Sequence, residues 1–367
     1  RPVRQGQALM TVVDPKGENC QVTARRRREM GQQVVVLDPF RIVSDKSDSL
    51  NPMDLLSLCG SVLDCDSEMI ASQMAAGHLF SHDPYWNDMA TPLTAGLTAH
   101  VATSSPKAER NLNKVREIFY HDDMDYTLAV WLDNKDVKCR MSREEFVSYL
   151  SIPSDKTRPC VRSTATAYVK ALGSDNVAQT LQKSTFDLND LVEGKPLTIY
   201  IVIPPEKLES HRALLRLWVG TLLTAVIRRK HLPEQRTLFM IDEAAQLGTF
   251  PLLRQAITLY RGYGMQVWSF WQDLSQLKQL YPNDWETMVN NSSALQVFGI
   301  HNNLIARQWG EVLGIDPARL LSMPQEDLMI QRHGQETVQC RRANYLRDRV
   351  FKDQYDPNER FALSRHR

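Results

Sequence analysis

Apolar residues follow two spacing regimes along this chain. Toward both ends, short continuous apolar runs alternate with helical stretches. The runs are Leu9 to Val13, Gln33 to Leu37, Leu197 to Ile203, Thr237 to Ile241 and Met265 to Trp271. Runs of this length, rich in β-branched residues, predict strands buried on both faces of a parallel sheet. Cys20 to Met30 reads as a helix stopped by Gly31, which completes a βαβ unit with its flanking strands. Ala294 to Phe298 and Leu328 to Gln331 read as later strands of the same alternation. The most apolar helix, Leu214 to Ile227, is interrupted by Arg216 and ends in Arg228-Arg229-Lys230. That pattern describes a buried helix with a basic last turn.

Between about 47 and 176 the strand-like runs vanish. Apolar residues recur at helical spacing, as in Leu93, Leu97 and Val101, or Val115, Ile118 and Phe119. The expected helices are Ser67 to Phe80, Tyr85 to Thr103, Pro106 to His121, Tyr126 to Asp133, Ser142 to Tyr149 and Val161 to Leu172. Pro84, Pro106, Pro153 and Pro159 punctuate them. The whole predicts an α/β protein. A doubly wound, mostly parallel sheet draws on 1–46 and 177–350, an all-α domain is inserted at 47–176, and 351–367 is a polar, basic tail. No internal repeat or low-complexity segment is visible.

Composition narrows this little. A chain of 367 residues buries a large core and accommodates two domains. Its net charge of +1 gives no bulk attraction to nucleic acid or membrane, so such binding would need local patches. Cys20, Cys59, Cys65, Cys139, Cys160 and Cys340 form no C-x-x-C pair. Free thiols in a reducing cytosol are expected, not structural zinc. No run of about 18 apolar residues is present to span a bilayer.

The chemistry concentrates where strands end. Thr237 to Ile241 runs straight into Asp242-Glu243. Ligands of open α/β sheets bind at the carboxyl ends of strands. An Asp there suits the Mg²⁺ of a nucleotide, and the neighbouring Glu suits a base for attacking water: the Walker B pattern. The plain alternative is a strand ending in a solvated acidic turn. The next strand ends at Gln272, a residue able to orient water or sense a γ-phosphate, or simply to satisfy buried backbone.

Several blocks in order resemble the type IV secretion coupling proteins, the TraG/TraD-like branch of the FtsK/HerA P-loop ATPases. They are "VVDPKGENCQVTARRRREMGQQVVVLDPF", "LNPMDLL", "LTIYIVIPPEKLESHRALLRLW" and "MIDEAAQLG…RGYGMQVWSFWQDLSQLKQLYPNDWETMVNN". Together they reach from about Met10 to Asp356. The resemblance implies a RecA-like motor with an inserted all-α domain, ATP and Mg²⁺ as cofactors, and a homo-hexamer. It also implies DNA or secreted protein substrates, contacts with channel components and adaptors, and a place at the cytoplasmic face of the bacterial inner membrane.

Within the family pattern, Asp242 matches the Mg²⁺ ligand, Glu243 the base, Gln272 the sensor and Arg261 an arginine finger. The plain alternative for Arg261 is compensation of a helix dipole. Asp14, Lys16 and Glu18, after the first strand, either border the site or form a turn around a left-handed Gly17. Arg25 to Arg28 could face DNA, or form a solvated helix face. Trp86 and Trp131 could present a substrate surface or fill the core. One departure stands out: G-x-x-x-x-G-K-[ST] occurs nowhere, and Gly194-Lys195 is followed by Pro196. In the family that P-loop lies directly upstream of the Asp-Pro-Lys-Gly-Glu strand. The expectation is a Walker A unit and membrane anchor missing from the amino-terminal side. The alternative is a non-hydrolysing scaffold or substrate receptor of the same fold. A chromosome-pumping FtsK-like motor fits the long helical insert poorly.

Overall fold

The structure, a computed structural model, describes residues 9–75, 84–153 and 156–358. The short apolar runs form strands. They are β1 (Met10–Val13), β2 (Gln33–Leu37), β3 (Leu197–Ile201), β4 (Thr237–Ile241) and β5 (Met265–Ser269). They pair in parallel in the order β2-β3-β1-β4-β5. The register sets Val13 beside both Ile201 and Ile241, and Ile241 beside Ser269. Parallel pairing collects every carboxyl strand end at one edge. This is the α/β, RecA-like parallel sheet expected from the sequence.

Helix α1 (Glu18–Glu29) links β1 to β2. It begins at Gly17, which is left-handed at φ 71, and a Cβ there would collide with Val43. Only glycine meets both demands. The next eight helices are α2 (Leu63–Ala75), α3 (Tyr85–Ser104), α4 (Leu112–Phe119), α5 (Met124–Asp133), α6 (Arg140–Ser151), α7 (Thr157–Lys170), α8 (Asp175–Gln182) and α9 (Leu188–Glu193). No strand occurs among the described residues of 47–176. The 176/177 division falls inside α8, and the expected helix through Phe80 runs past Ala75 into residues outside those described. Trp131 stacks on buried His100 at 4.4 Å between ring centroids, as a core residue does.

After β3 come α10 (Pro205–Leu208) and α11 (Arg212–Ile227). Every residue of α11 from Ala213 to Val226 is buried. A helix apolar on all sides must be covered on all sides. Its residues join one continuous core with the sheet side chains Val13, Ile201 and Phe239 and the helical-block side chains Ile70, Leu97 and Tyr168. The Trp218 indole N–H donates to the Leu50 carbonyl at 3.1 Å. Arg228 pairs with Asp66 at 2.6 Å, and Arg229 donates to the carbonyls of Leu191 and Tyr263 and to the Thr237 hydroxyl.

The remaining helices are α12 (Pro251–Thr258), α13 (Leu274–Leu280), α14 (Trp285–Asn291), α15 (Asn303–Leu313) and α16 (Pro317–Leu321). The two late strands do not extend the parallel sheet. β6 (Ala294–Val297), β7 (Asp327–Arg332) and β8 (Val338–Arg341) make a separate antiparallel sheet in that order. β8 escapes sequence reading because it is held by ladder hydrogen bonds and buries little. Beyond it, the Asp356 N–H donates to the Val22 carbonyl, and Asp356 also accepts from Arg25. Arg25 and Arg26 pair with Glu29 as well, so these arginines serve contacts within the chain.

Because Trp218 is fully buried and anchors the 50s loop, Trp218→Ala is expected to cost about 3–5 kcal/mol of unfolding free energy. Urea denaturation measures it. A loss below about 1 kcal/mol would show that the surroundings collapse into the space.

Candidate acidic site at the strand edge

Two carboxylates come together through the strand register. Asp14 follows β1 and Asp242 follows β4, on neighbouring strands. The Asp242 N–H donates to the Val13 carbonyl at 3.2 Å, and the Asp14 N–H to the Ile201 carbonyl at 2.9 Å. Asp14 is 1% exposed. Its carboxylate accepts from the Cys20 N–H at 2.7 Å and from the Asn19 amide at 3.3 Å, so it closes the first turn of α1. Burial raises the Asp14 carboxyl above its ordinary range; those hydrogen bonds pull it back, and the charge of Asp242 pushes it further up. Asp14 thus shapes the edge from beneath.

Asp242 and Glu243 are half-buried. Burial raises Asp242 most, then the charge of Glu243 raises it further; Lys16 lowers it and Glu18 raises it. Lys16 and Glu18 therefore lie within electrostatic reach of Asp242. Glu243 adopts a left-handed backbone at φ 53, ψ 56. Such a conformation costs a non-glycine residue on the order of 1–3 kcal/mol. It turns the chain sharply after β4, and the Ala244 N–H then donates to the Phe270 carbonyl at 2.9 Å. Gln272 is exposed just past β5 at the same edge, where its N–H donates to Gln276.

Arg261 does not join this group. It is exposed in the 3₁₀ turn Tyr260–Tyr263, before β5 begins. It therefore stands at the opposite end of the strand, about 13 Å away along a five-residue run.

No group of three His, Cys, Asp or Glu side chains able to cage a metal occurs among the described residues. Mg²⁺ does not need one. It binds through one or two carboxylates plus phosphate and water oxygens. The hard, half-buried oxygens of Asp242 fit that donor set. An open cleft of about 600 Å³ lies elsewhere, lined by Gln21, Arg41, Ser44, Asp45 and Asp356, and none of the edge carboxylates lines it.

The sheet's second face is unevenly covered. The cluster of Val12, Cys20, Ala24, Val36 and Tyr200 lies toward α1. Over β4 and β5, Leu238 and Met240 are half-buried and Trp268 is 43% exposed, its ring tilted on Phe270 at 5.1 Å. β5 is also an edge strand. Sequence reading missed Arg216 and Tyr281, which hold the loop after Glu243. A charge inside an apolar helix was the available signal for Arg216; Tyr281 gave none.

A parallel sheet with an acidic carboxyl edge and a helical block beside it defines a RecA-like α/β protein. Residues 5–315 match the family described as Type IV secretory system Conjugative DNA transfer, and the chain belongs to that family. It is 24% identical to the conjugal transfer protein TraG of Rhizobium radiobacter over 277 residues, covering 74% of this chain and 42% of TraG. It is 27% identical to the type IV secretion system-coupling protein VirD4 of Bartonella quintana over 276 residues, covering 72% of this chain and 42% of VirD4. The chain thus spans about two fifths of the length of these relatives.

Among solved structures, the conjugative coupling protein TrwBdeltaN70 in its unbound monoclinic form superposes with a TM-score of 0.71. The identity is 15%, covering 92% of this chain and 78% of that one. TrwB in complex with ADP and Mg²⁺ gives a TM-score of 0.70 at 15% identity, covering 92% and 79%. At such identity the likeness speaks for the fold. Among the described residues, no helix is long and apolar enough to cross a membrane.

An aspartate whose folded pKa lies above its unfolded one holds its proton more tightly when folded. Its ionised form weighs against folding at neutral pH, and this penalty disappears below the ordinary value of 3.8. Asp242→Asn is therefore expected to raise the urea midpoint at about pH 7 and to lose that advantage near about pH 3.5. An equal midpoint at both pH values would mean the carboxylate is as well solvated folded as unfolded.

Proposed function

We propose that this chain is the motor part of a type IV secretion coupling protein, an ATP-dependent machine that recruits DNA or protein substrates to the secretion channel. The carrying observation is the Asp242-Glu243 pair at the carboxyl end of a central parallel strand, in a chain of this family. The fold shared with TrwB, solved with ADP and Mg²⁺, supports nucleotide as the ligand. In this reading the protein works as a homo-hexamer at the cytoplasmic face of the bacterial inner membrane, with channel components and adaptors as partners. The all-α block at 47–176 is its inserted domain.

Mg²⁺, when bound with nucleotide, neutralises charge on the phosphates. Asp242 would hold it, and Glu243 would accept the proton of the attacking water. Gln272, exposed at the same edge, would sense the terminal phosphate. Arg261 sits at the far end of β5, away from Asp242; in this reading it would reach a nucleotide held by a neighbouring subunit. The partly covered face over β4 and β5 has room for a phosphate-binding strand-loop-helix, and this sequence carries no G-x-x-x-x-G-K-[ST]. A non-hydrolysing scaffold is the second reading, and that same missing motif is what favours it.

In the longer protein that includes a phosphate-binding segment, Glu243→Gln is expected to abolish ATP turnover while sparing ATP–Mg²⁺ binding, because an amide cannot take the proton. Steady-state assays with titration calorimetry decide it. Absence of turnover in the parent protein favours the scaffold.

Arg261→Ala is expected to lower turnover of the assembled protein by about 10³-fold. Mixing it with the Glu243→Gln variant should restore part of the activity, since each subunit type supplies what the other lacks. If no mixture recovers, Arg261 has no role across the interface.

A further inference from the structure

The loop that follows Glu243 is gripped from two sides. Arg216, from the buried helix α11, is 2% exposed. It donates to the Leu247 carbonyl at 3.1 Å and to the Thr249 carbonyl at 2.9 Å. Its guanidinium also lies 5.0 Å from the centre of the Phe250 ring. Tyr281, just past α13 and 4% exposed, reaches the same loop. Its hydroxyl accepts from the Phe250 N–H at 3.1 Å and lies 3.4 Å and 3.2 Å from the carbonyls of Gly248 and Phe250. Four successive carbonyls, 247 to 250, thus face two side chains from elements distant in sequence. Thr249 adds a bond from its hydroxyl to the Leu280 carbonyl at 3.1 Å.

This grip is costly in isolation. No carboxylate pairs with Arg216 among the described residues, and its Nε has no partner. Burial lowers the guanidinium to about 10 and raises the Tyr281 phenol to about 12. A charged side chain is poorly tolerated in a dry interior unless its hydrogen bonds are needed there. The loop needs them. Gly248 sits at φ 65, ψ −160, a region open only to glycine, and Glu243 at the start of the segment is left-handed. A loop that carries the left-handed Glu243 and turns sharply at Gly248 relaxes unless its ends are held. Ala244 holds one end through Phe270, and Arg216 and Tyr281 hold the other.

We propose that Arg216 and Tyr281 are positioning residues that fix the Glu243 turn, making the alignment of the base depend on helices α11 and α13. The inference rests on reading Glu243 as the base. α13 starts directly after Gln272 and Asp273, so the clamp also ties the base to the strand end carrying the sensor. The base and the sensor are then set by one rigid unit.

Two arms test this. On this chain, hydrogen–deuterium exchange should show the amides of 244–250 exchanging at least about tenfold faster in Tyr281→Phe and Arg216→Met, with β1, β3 and β4 unchanged. In the longer protein, Arg216→Met is expected to lower kcat about 30-fold or more with the KM for ATP within about twofold, and Tyr281→Phe to lower kcat about threefold to tenfold. Arg216→Lys, which keeps one donor, should recover part of the loss. Tyr281→Phe removes one oxygen atom only, so it decides the question if Arg216→Met does not fold. Unchanged exchange and kcat in a folded variant would overturn the proposal, as would a rise in KM at constant kcat. If Glu243→Gln itself leaves turnover intact, the failure lies with the base assignment. The exchange arm still reports on the clamp.

Discussion

Helix α11 is the constraint on which the structure depends. It is apolar on every side, so the chain has to wrap it completely. The parallel sheet covers it in part, and α2, α9, α12 and the 3₁₀ turn at Pro52–Ser57 cover further sides of it. Polar groups of the helix and of the two residues just past it, Arg228 and Arg229, join these layers. Trp218 ties the helical block to it at Leu50, and Arg228 does so at Asp66. Arg229 reaches the start of β4 through Thr237 and the turn before β5 through Tyr263. Arg216 reaches the loop after β4. The helix and the residues directly after it therefore touch both ends of the strand that carries the candidate catalytic pair.

The acidic edge follows from parallel pairing. Because β1, β4 and β5 run the same way in a fixed register, Asp14, Asp242 and Gln272 emerge at one edge without any loop having to bring them there. The same geometry sends Arg261 to the other edge. On the proposed reading, this placement is what makes Arg261 serve a neighbouring subunit and not its own. The face over β4 and β5 is only partly covered, with Trp268 43% exposed.

Much of this was legible in the order of residues. Five continuous apolar runs became five parallel strands, since only burial on both faces tolerates such runs. Helical spacing through the middle of the chain became helices, because period alone separates the two kinds of element. Asp242-Glu243 stood out because charge follows apolar sequence without transition. The late strands β6 and β7 were visible as strands, but their partners were not. Antiparallel pairing with the exposed β8 is decided by chain return and by hydrogen bonds, which leave little trace in hydrophobicity.

The sequence by itself thus determined the element types, the family and the identity of the acidic pair. Each of these depends on residues close together along the chain. Only the tertiary structure decided what those residues do to each other. It put Asp14 under α1 as a buried cap, where sequence left it between a site residue and a turn. It separated Arg261 from Asp242 by the length of a strand. It also turned Arg216, a lone interruption in an apolar helix, into the clamp on the Glu243 loop together with Tyr281, 65 residues away. Contacts between elements distant in the chain depend on which faces pack together, and packing is a property of the whole core rather than of any window of sequence.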